Sequence, residues 1–342
     1  MRLKLVNLSE LWKMKLRTEI KIHKQEREIS HQDSILLMGS CFSDHIGNKL
    51  KENKFDVVVN PLGIAYNPIS LHQHLSLDYF QLNKNFEDIQ LTDELYYHYD
   101  FHSKFNSFTK EDFVVHVEKA YQAQLEQLNK KPIVFLTYGT AWVHELKSNQ
   151  QITNNCHKQP STLFNKRILS VKEIVNSFIS MKKKLESEYG HSFSFIFTIS
   201  PVRHLKDGFI ENQLSKSTLN LAIHQLCSNY KNCSYFPSFE IMVDDLRDYR
   251  FYNEDLLHPN DTAIKYIWKQ FSNAYFSEKT NKYVQQIEKI NQSLHHRPFN
   301  IHSEANQKFL KKLKNDIKQF STESNIDFSE ELEQLEDQVL PF

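Results

Sequence analysis

Short runs of β-branched and aromatic residues, each stopped by a glycine or proline turn and followed by a segment of helical spacing, constrain this chain most. Ile35-Leu36-Leu37-Met38 stops at Gly39, and Phe55 to Asn60 at Pro61-Leu62-Gly63. Pro132 to Tyr138 stops at Gly139, and Phe193 to Ile199 at Ser200-Pro201. Runs this short and this continuously apolar suit strands covered on both faces. Helical spacing is read over Ser43 to Leu50, Ile69 to Leu77, Phe113 to Leu128, Val171 to Tyr189, Ser215 to Tyr230 and Thr262 to Tyr275. Ser234 to Phe236 adds a short last strand. Strands alternating with helices predict an α/β fold, a three-layer α/β/α sandwich on a mainly parallel sheet.

Ligands of such sheets gather at the carboxyl ends of the strands. The chain has only six glycines, and Gly39, Gly63 and Gly139 all fall at or just beyond those predicted ends, so half of a small supply marks one edge. Two excursions interrupt the alternation. Residues 86 to 107, rich in Tyr, His and Phe, predict an inserted pair of short strands with aromatic faces. Trp142 to Leu146 and Ile152 to Asn155 bracket a polar Ser148-Asn149-Gln150 tip and predict a β-hairpin. After about residue 276 the character changes to charged helices, so the expected division is an α/β domain over 1–275 and a helical C-terminal extension over 276–342. Residues 1–13 read as an extended or non-native start, with Met14 as the alternative beginning.

Charge narrows the function classes. Lys plus Arg and Asp plus Glu are 42 each, so no overall field favours nucleic acid or an anionic membrane surface. The run Lys311-Lys312-Leu313-Lys314 is the wet face of an amphipathic helix. The start, Met1 to Asn7, lacks the continuous apolar stretch of a signal peptide, and no segment reaches the roughly 18 apolar residues of a membrane span. The four cysteines, at 41, 156, 227 and 233, show no C-x-x-C spacing and are expected to be reduced thiols. A cytoplasmic protein acting on a small neutral or mixed-charge molecule is the expectation. A zinc site from Cys156, His157 and His144 is disfavoured by the poor geometry of adjacent ligands, and no cofactor or metal is expected.

Two pieces carry chemistry. Gly39-Ser40-Cys41-Phe42 places a thiol on a strand-to-helix turn, where the helix dipole is expected to lower its pKa and favour the thiolate. Asp255-Leu256-Leu257-His258-Pro259-Asn260 places a carboxylate three residues before a histidine, so a single turn can orient the ring towards a nucleophile. Each has a plainer structural reading: a cysteine ending an apolar strand is often simply buried, and Asp255 with His258 suits a helix-entry turn. Arg203 and His204, after a strand end, are candidates for a substrate carboxylate or phosphate, with pairing of Arg203 to Asp207 as the structural alternative. Cys156 and His157 follow the hairpin and are candidates to fold over the site.

These residues resemble the GSCFA-domain proteins, which look related to the SGNH (GDSL-type) hydrolases. Gly39-Ser40-Cys41-Phe42 matches the family's name-giving motif, with Ser43 where its alanine is usual. The resemblance extends to Asn60 to Gly63, Gly139-Thr140-Ala141-Trp142, Asn155 to Lys158, Ser200 to His204 and Asp255 to Pro259, over roughly residues 14 to 310. It implies a flavodoxin-like, SGNH-type sheet. Laid over the SGNH blocks, Cys41 takes the place of the nucleophilic serine and Ser40 that of the preceding aspartate; a slip of one residue would make Ser40 the nucleophile. Gly63 matches the glycine whose N–H helps bind an oxyanion, and Asp255 and His258 match the final Asp-x-x-His block.

The oxyanion asparagine of the third block is Ala141 here. Losing such a donor typically costs about 2.7–4 kcal/mol of transition-state stabilisation, and Thr140, Asn67 or the Trp142 indole N–H are the candidate replacements. The resemblance implies an ester hydrolase (esterase) or acyltransferase working through acyl-Cys41 on a small-molecule or glycan-type acyl ester. The alternative is a ligand-binding or scaffold domain that kept the fold and lost the reaction.

Overall fold

The structure, a computed structural model, describes residues 17–296, 298–300, 303–336 and 338. The expectations for residues 1–13 and Met14 lie outside the described residues. The apolar runs form strands β1 (Ser34–Gly39), β2 (Asp56–Val59), β5 (Ile133–Tyr138), β9 (Ser194–Ile199) and β10 (Cys233–Phe236). They pair in parallel as one five-stranded sheet of order β10-β9-β5-β1-β2. Counted among themselves the strands run 2-1-3-4-5, the flavodoxin-like doubly wound order. Its switch point lies between β1 and β5, where Gly39 pairs with Thr137.

Side chains alternate across a strand, and here successive residues enter two different cores. Ile35, Leu37, Ile133, Phe135 and Ile196 join one; Leu36, Met38, Val134, Leu136, Phe195 and Phe197 join the other. The first is covered by α1 (Cys41–Glu52) and α7 (Asp261–Tyr275) through Phe42, Ile46, Ile267 and Phe271. The second is covered by α5 (Val171–Tyr189) and α6 (Phe209–Asn229) through Ile174, Phe178, Leu219 and Ile223. That makes three layers. Fully burying each such side chain stabilises the fold by about 1.5–3 kcal/mol.

The helix ends follow local chemistry. Asn67 caps α2 (Pro68–Leu75), with Pro68 at its first position, where a missing N–H costs nothing. Ser170 and Glu173 form a capping box on α5, which stops at Gly190 with φ 68°. Asn260 caps α7. A further short helix, α3 (Tyr79–Glu87), precedes the insertion, which is the antiparallel pair β3 (Gln90–Thr92) and β4 (Leu95–Tyr97) packed under α4 (Lys110–Asn129). The hairpin β6 (Trp142–Leu146) and β7 (Ile152–Thr153) gains a third strand, β8 (Phe164–Ile168), which pairs with β6.

Helices α8 (Glu278–Leu294), α9 (Glu304–Ser324) and α10 (Ser329–Glu336) share their own apolar cluster. They fasten to the turn after α1: Asn291 Nδ2 donates to the Glu52 carbonyl at 2.8 Å, and Lys54 pairs with Glu331 at 2.6 Å. Among the described residues, no helix is long and apolar enough to cross a membrane.

Candidate active site

Gly39 is where β1 must turn. Its φ is +148°, its N–H donates to Asn60 Oδ1 at 2.8 Å, and a Cβ there would lie 2.3 Å from the Thr137 carbonyl oxygen. Glycine is therefore required at that point. Ser40 follows as the α1 N-cap, its hydroxyl accepting the Phe42 N–H at 3.4 Å. It is fully buried. Cys41 is the first residue of α1, so its N–H has no acceptor within the helix, and its side chain lines a cavity of about 610 Å³.

The same cavity is lined by His258. Asp255 Oδ2 lies 2.6 Å from His258 Nδ1, and its Oδ1 accepts the N–H groups of Leu257 and His258 at 2.8 and 3.0 Å. These donors hold the Asp255 carboxyl down to about 2. An ionised Asp255 accepts a hydrogen bond from Nδ1–H, which leaves Nε2 as the ring's basic atom.

Burial opposes the expected low pKa of Cys41. It pushes the thiol up, and the Asp44 carboxylate adds to the effect; the first amides of α1 and Lys216 act the other way without prevailing. Burial and Asp44 together outweigh the helix dipole at this thiol.

The expected oxyanion donors are mostly engaged. Gly63 N–H closes a turn onto the Asn60 carbonyl at 2.9 Å, and a Cβ at Gly63 would meet His102 Cβ at 2.3 Å. The glycine allows the insertion to pack close, and its amide is not presented to the cavity. Thr140 N–H donates to the Tyr66 carbonyl, and its hydroxyl lies 3.1 Å from Ser215 Oγ. The Trp142 indole donates to the Glu211 carbonyl at 3.1 Å. Asn67 caps α2 with Oδ1 and donates to Ser70 Oγ through Nδ2. All but Gly63 nonetheless line the cavity.

His157 turns away. Its Nε2 donates to the carbonyls of His98 and Phe101 at 3.0 and 3.1 Å, so it staples the insertion and does not line the cavity. Cys156 and His144 do line it, and among the described residues no set of three or more metal-ligating side chains comes together. Arg203 does not pair with Asp207, which instead binds Lys166. Its guanidinium donates to the Leu256 carbonyl at 3.1 Å and lies within 6.0 Å of the Phe209, Tyr249 and Tyr252 ring centres. Arg203 thus braces the loop that carries His258. His204 lines the cavity, and its Nε2 is buried without a partner among the described residues. Burial, with Lys216 and His258 nearby, lowers its imidazole to about 3, so it is neutral.

The GSCFA family model matches residues 34–271, which include every candidate just placed, and the model of the GSCFA domain protein C-terminal domain matches 287–341. The chain belongs to the GSCFA family. Compared with the curated proteins, it matches none.

Three residues that sequence reasoning did not single out complete the GSCFA site. Tyr66 lines the cavity and lies edge-on to His204 at 5.7 Å, and burial, with Cys41 and Asp44 beside it, raises its phenol. His102 lines the wall contributed by the insertion. Lys216, on α6, is buried and donates to the carbonyls of Gly139 and Ser200 at 2.8 Å each; burial lowers its ammonium to about 7. Tyr66 had a signal, the turn-rich Gly63 to Pro68 segment after a strand end. Lys216 had none.

Proposed function

We propose that this chain is an SGNH-like acyl-transfer enzyme that hydrolyses an ester, or passes its acyl group to an acceptor, through an acyl-Cys41 intermediate. The observation that carries the reading is that Cys41 and an Asp255-oriented His258 line one cavity, at the carboxyl edge of a parallel sheet. A nucleophile, a base and an orienting carboxylate are the parts that acyl transfer needs.

In this scheme His258 Nε2 takes the thiol proton as Cys41 Sγ attacks the ester carbonyl. The C–S bond forms and the carbonyl electron pair moves to oxygen. The Cys41 N–H and the Tyr66 hydroxyl are the donors this scheme assigns to that oxyanion, both residues lining the cavity. Collapse expels the alkoxide, which recovers the proton from His258 and leaves a thioester. Water or a second alcohol then gives its proton to His258 and attacks the thioester, and the Cys41 thiolate departs and recovers that proton. Ser40, capped and fully buried, is the weaker nucleophile candidate.

The substrate class that fits is a small-molecule or glycan-type acyl ester. Asn154 and Asn155 donate to the Tyr99 carbonyl at 2.9 and 3.1 Å, so hairpin and insertion form one fastened wall. In the transfer version of the scheme this wall is the element that would limit water at the thioester. A cytoplasmic setting, suggested by four free cysteines, and a separate helical unit over 276–342 belong to the same proposal. The second reading, a non-catalytic ligand-binding domain, draws on the raised thiol and the engaged Gly63 amide.

Turnover of a panel of acyl esters, with and without added alcohol acceptors, tests the choice. Thioester-dependent turnover that is lost in Cys41→Ala, with acylated acceptor as product, supports transfer. Full turnover in Cys41→Ala removes the covalent scheme, and tight ligand binding without turnover supports the second reading.

A further inference from the structure

Lysine is almost never fully buried unless it is paired, yet Lys216 is 1% exposed on the inner face of α6. Its ammonium bridges the Gly139 and Ser200 carbonyls, immediately beyond the carboxyl ends of β5 and β9. An ammonium has three hydrogens, and these two carbonyls take two. Among the described residues no carboxylate forms an ion pair with it, and the Phe239 ring stands 5.5 Å from Nζ. A buried cation without an anion is strongly disfavoured.

The titratable groups whose fields meet Lys216 are Cys41 and His204. His204 is neutral and supplies no negative charge. Cys41 stands at the same end of the sheet: Gly39 pairs with Thr137, Ser40 N–H donates to the Thr137 carbonyl, and Gly139, two residues further, is held by Lys216. From the other side Asp44, on α1, disfavours a charge on the thiol, and Tyr66 stands against it with a raised phenol. His258 faces His204 across the same cavity.

We propose that Lys216 is the counter-ion of the Cys41 thiolate, a positioning residue fixed at the carboxyl ends of β5 and β9 by the Gly139 and Ser200 carbonyls. This rests on the acyl-transfer reading for its use, and not for its existence. When the S–H bond breaks the proton goes to His258 Nε2, and the thiolate left behind favours the charged form of Lys216. His258 moves the proton; Lys216 holds the charge left behind. Such a pair is reciprocal, each member shifting the other's titration.

The test is the rate of Cys41 alkylation by iodoacetamide between pH 6 and 10, followed by mass spectrometry in wild type and Lys216→Met, with circular dichroism to check folding. Loss of the counter-ion is expected to move the alkylation midpoint up by a pH unit or more, slowing the reaction about tenfold near neutrality. A folded Lys216→Met with the wild-type profile overturns the proposal. Should that variant not fold, the Lys216 ammonium is titrated by NMR in wild type and Cys41→Ala. A lower lysine midpoint in Cys41→Ala supports the pair, and an unchanged one overturns it. Neither readout uses substrate, so absence of ester turnover would count against acyl transfer alone.

Discussion

Asp255 holds His258 with both of its carboxylate oxygens, Oδ1 accepting the backbone N–H at 3.0 Å while Oδ2 faces ring Nδ1 at 2.6 Å. A carboxylate used twice on one residue fixes the ring's position as well as its tautomer. Under the proposed chemistry Asp255→Asn keeps the shape and loses the tautomer preference, and turnover is expected to fall roughly 1,000-fold or more. Steady-state kinetics check this, and a loss of less than tenfold would remove Asp255 from the mechanism.

Ser40 and Cys41 separate cleanly by mutation. Ser40→Ala removes an N-cap whose bond is long at 3.4 Å, so a stability loss of about 0.5–1 kcal/mol with turnover retained is expected. Cys41→Ala is expected to fold and to lose turnover. Denaturant titration beside an activity assay reads both, and the reverse pattern would make Ser40 the nucleophile.

Tyr66→Phe deletes one hydroxyl from the cavity. If it serves the oxyanion, kcat falls roughly 100- to 1,000-fold with little change in KM. A change confined to KM would instead place Tyr66 in ground-state binding.

Acid is expected to destabilise the fold from just below neutrality. Burial lowers His72 and His204 to about 3 and His74 and His98 to about 4. The unfolded chain, with histidines near 6.5, binds more protons below that value, so stability falls as pH falls. Each histidine costs about 2 kcal/mol at pH 5. Asp100, raised to about 6 by burial, works the other way, its contribution being lost as pH rises through 6. One carboxyl does not offset four imidazoles. Thermal denaturation between pH 7 and 5 checks the sign, and a flat Tm contradicts it.

Gly63→Ala drives a Cβ into His102 at a residue with φ +88°. A loss of roughly 1–3 kcal/mol is expected from strain, with loosening of the insertion. Proteolysis within residues 86 to 107 should quicken, and an unchanged rate would separate Gly63 from the insertion's docking.

The central sheet was legible because β1, β5 and β9 are buried on both faces and their runs are unbroken. Strand β8 was not, since Asn165, Lys166 and Arg167 fill its middle and only one face of its small sheet is covered. The start of α6 was missed by six residues because Phe209, Ile210 and Leu214 are exposed, which spoils the periodic stripe. At the site, Asp255 and His258 could be read because their contact is local, three residues apart. The engagement of the Gly63 amide and the burial of Lys216 could not, because a backbone partner leaves no side-chain signature and a lysine on a helix reads as a wet face.

Helix α1 begins at Cys41 and ends at Glu52, whose carbonyl receives Asn291, with the Lys54 to Glu331 ion pair just beyond. Twelve residues make a rod about 18 Å long, and α1 contains no proline to bend it. The tail and the thiol are therefore the two ends of one lever. The tail contacts sit behind the cavity, at the far end of the helix whose first amides face the nucleophile.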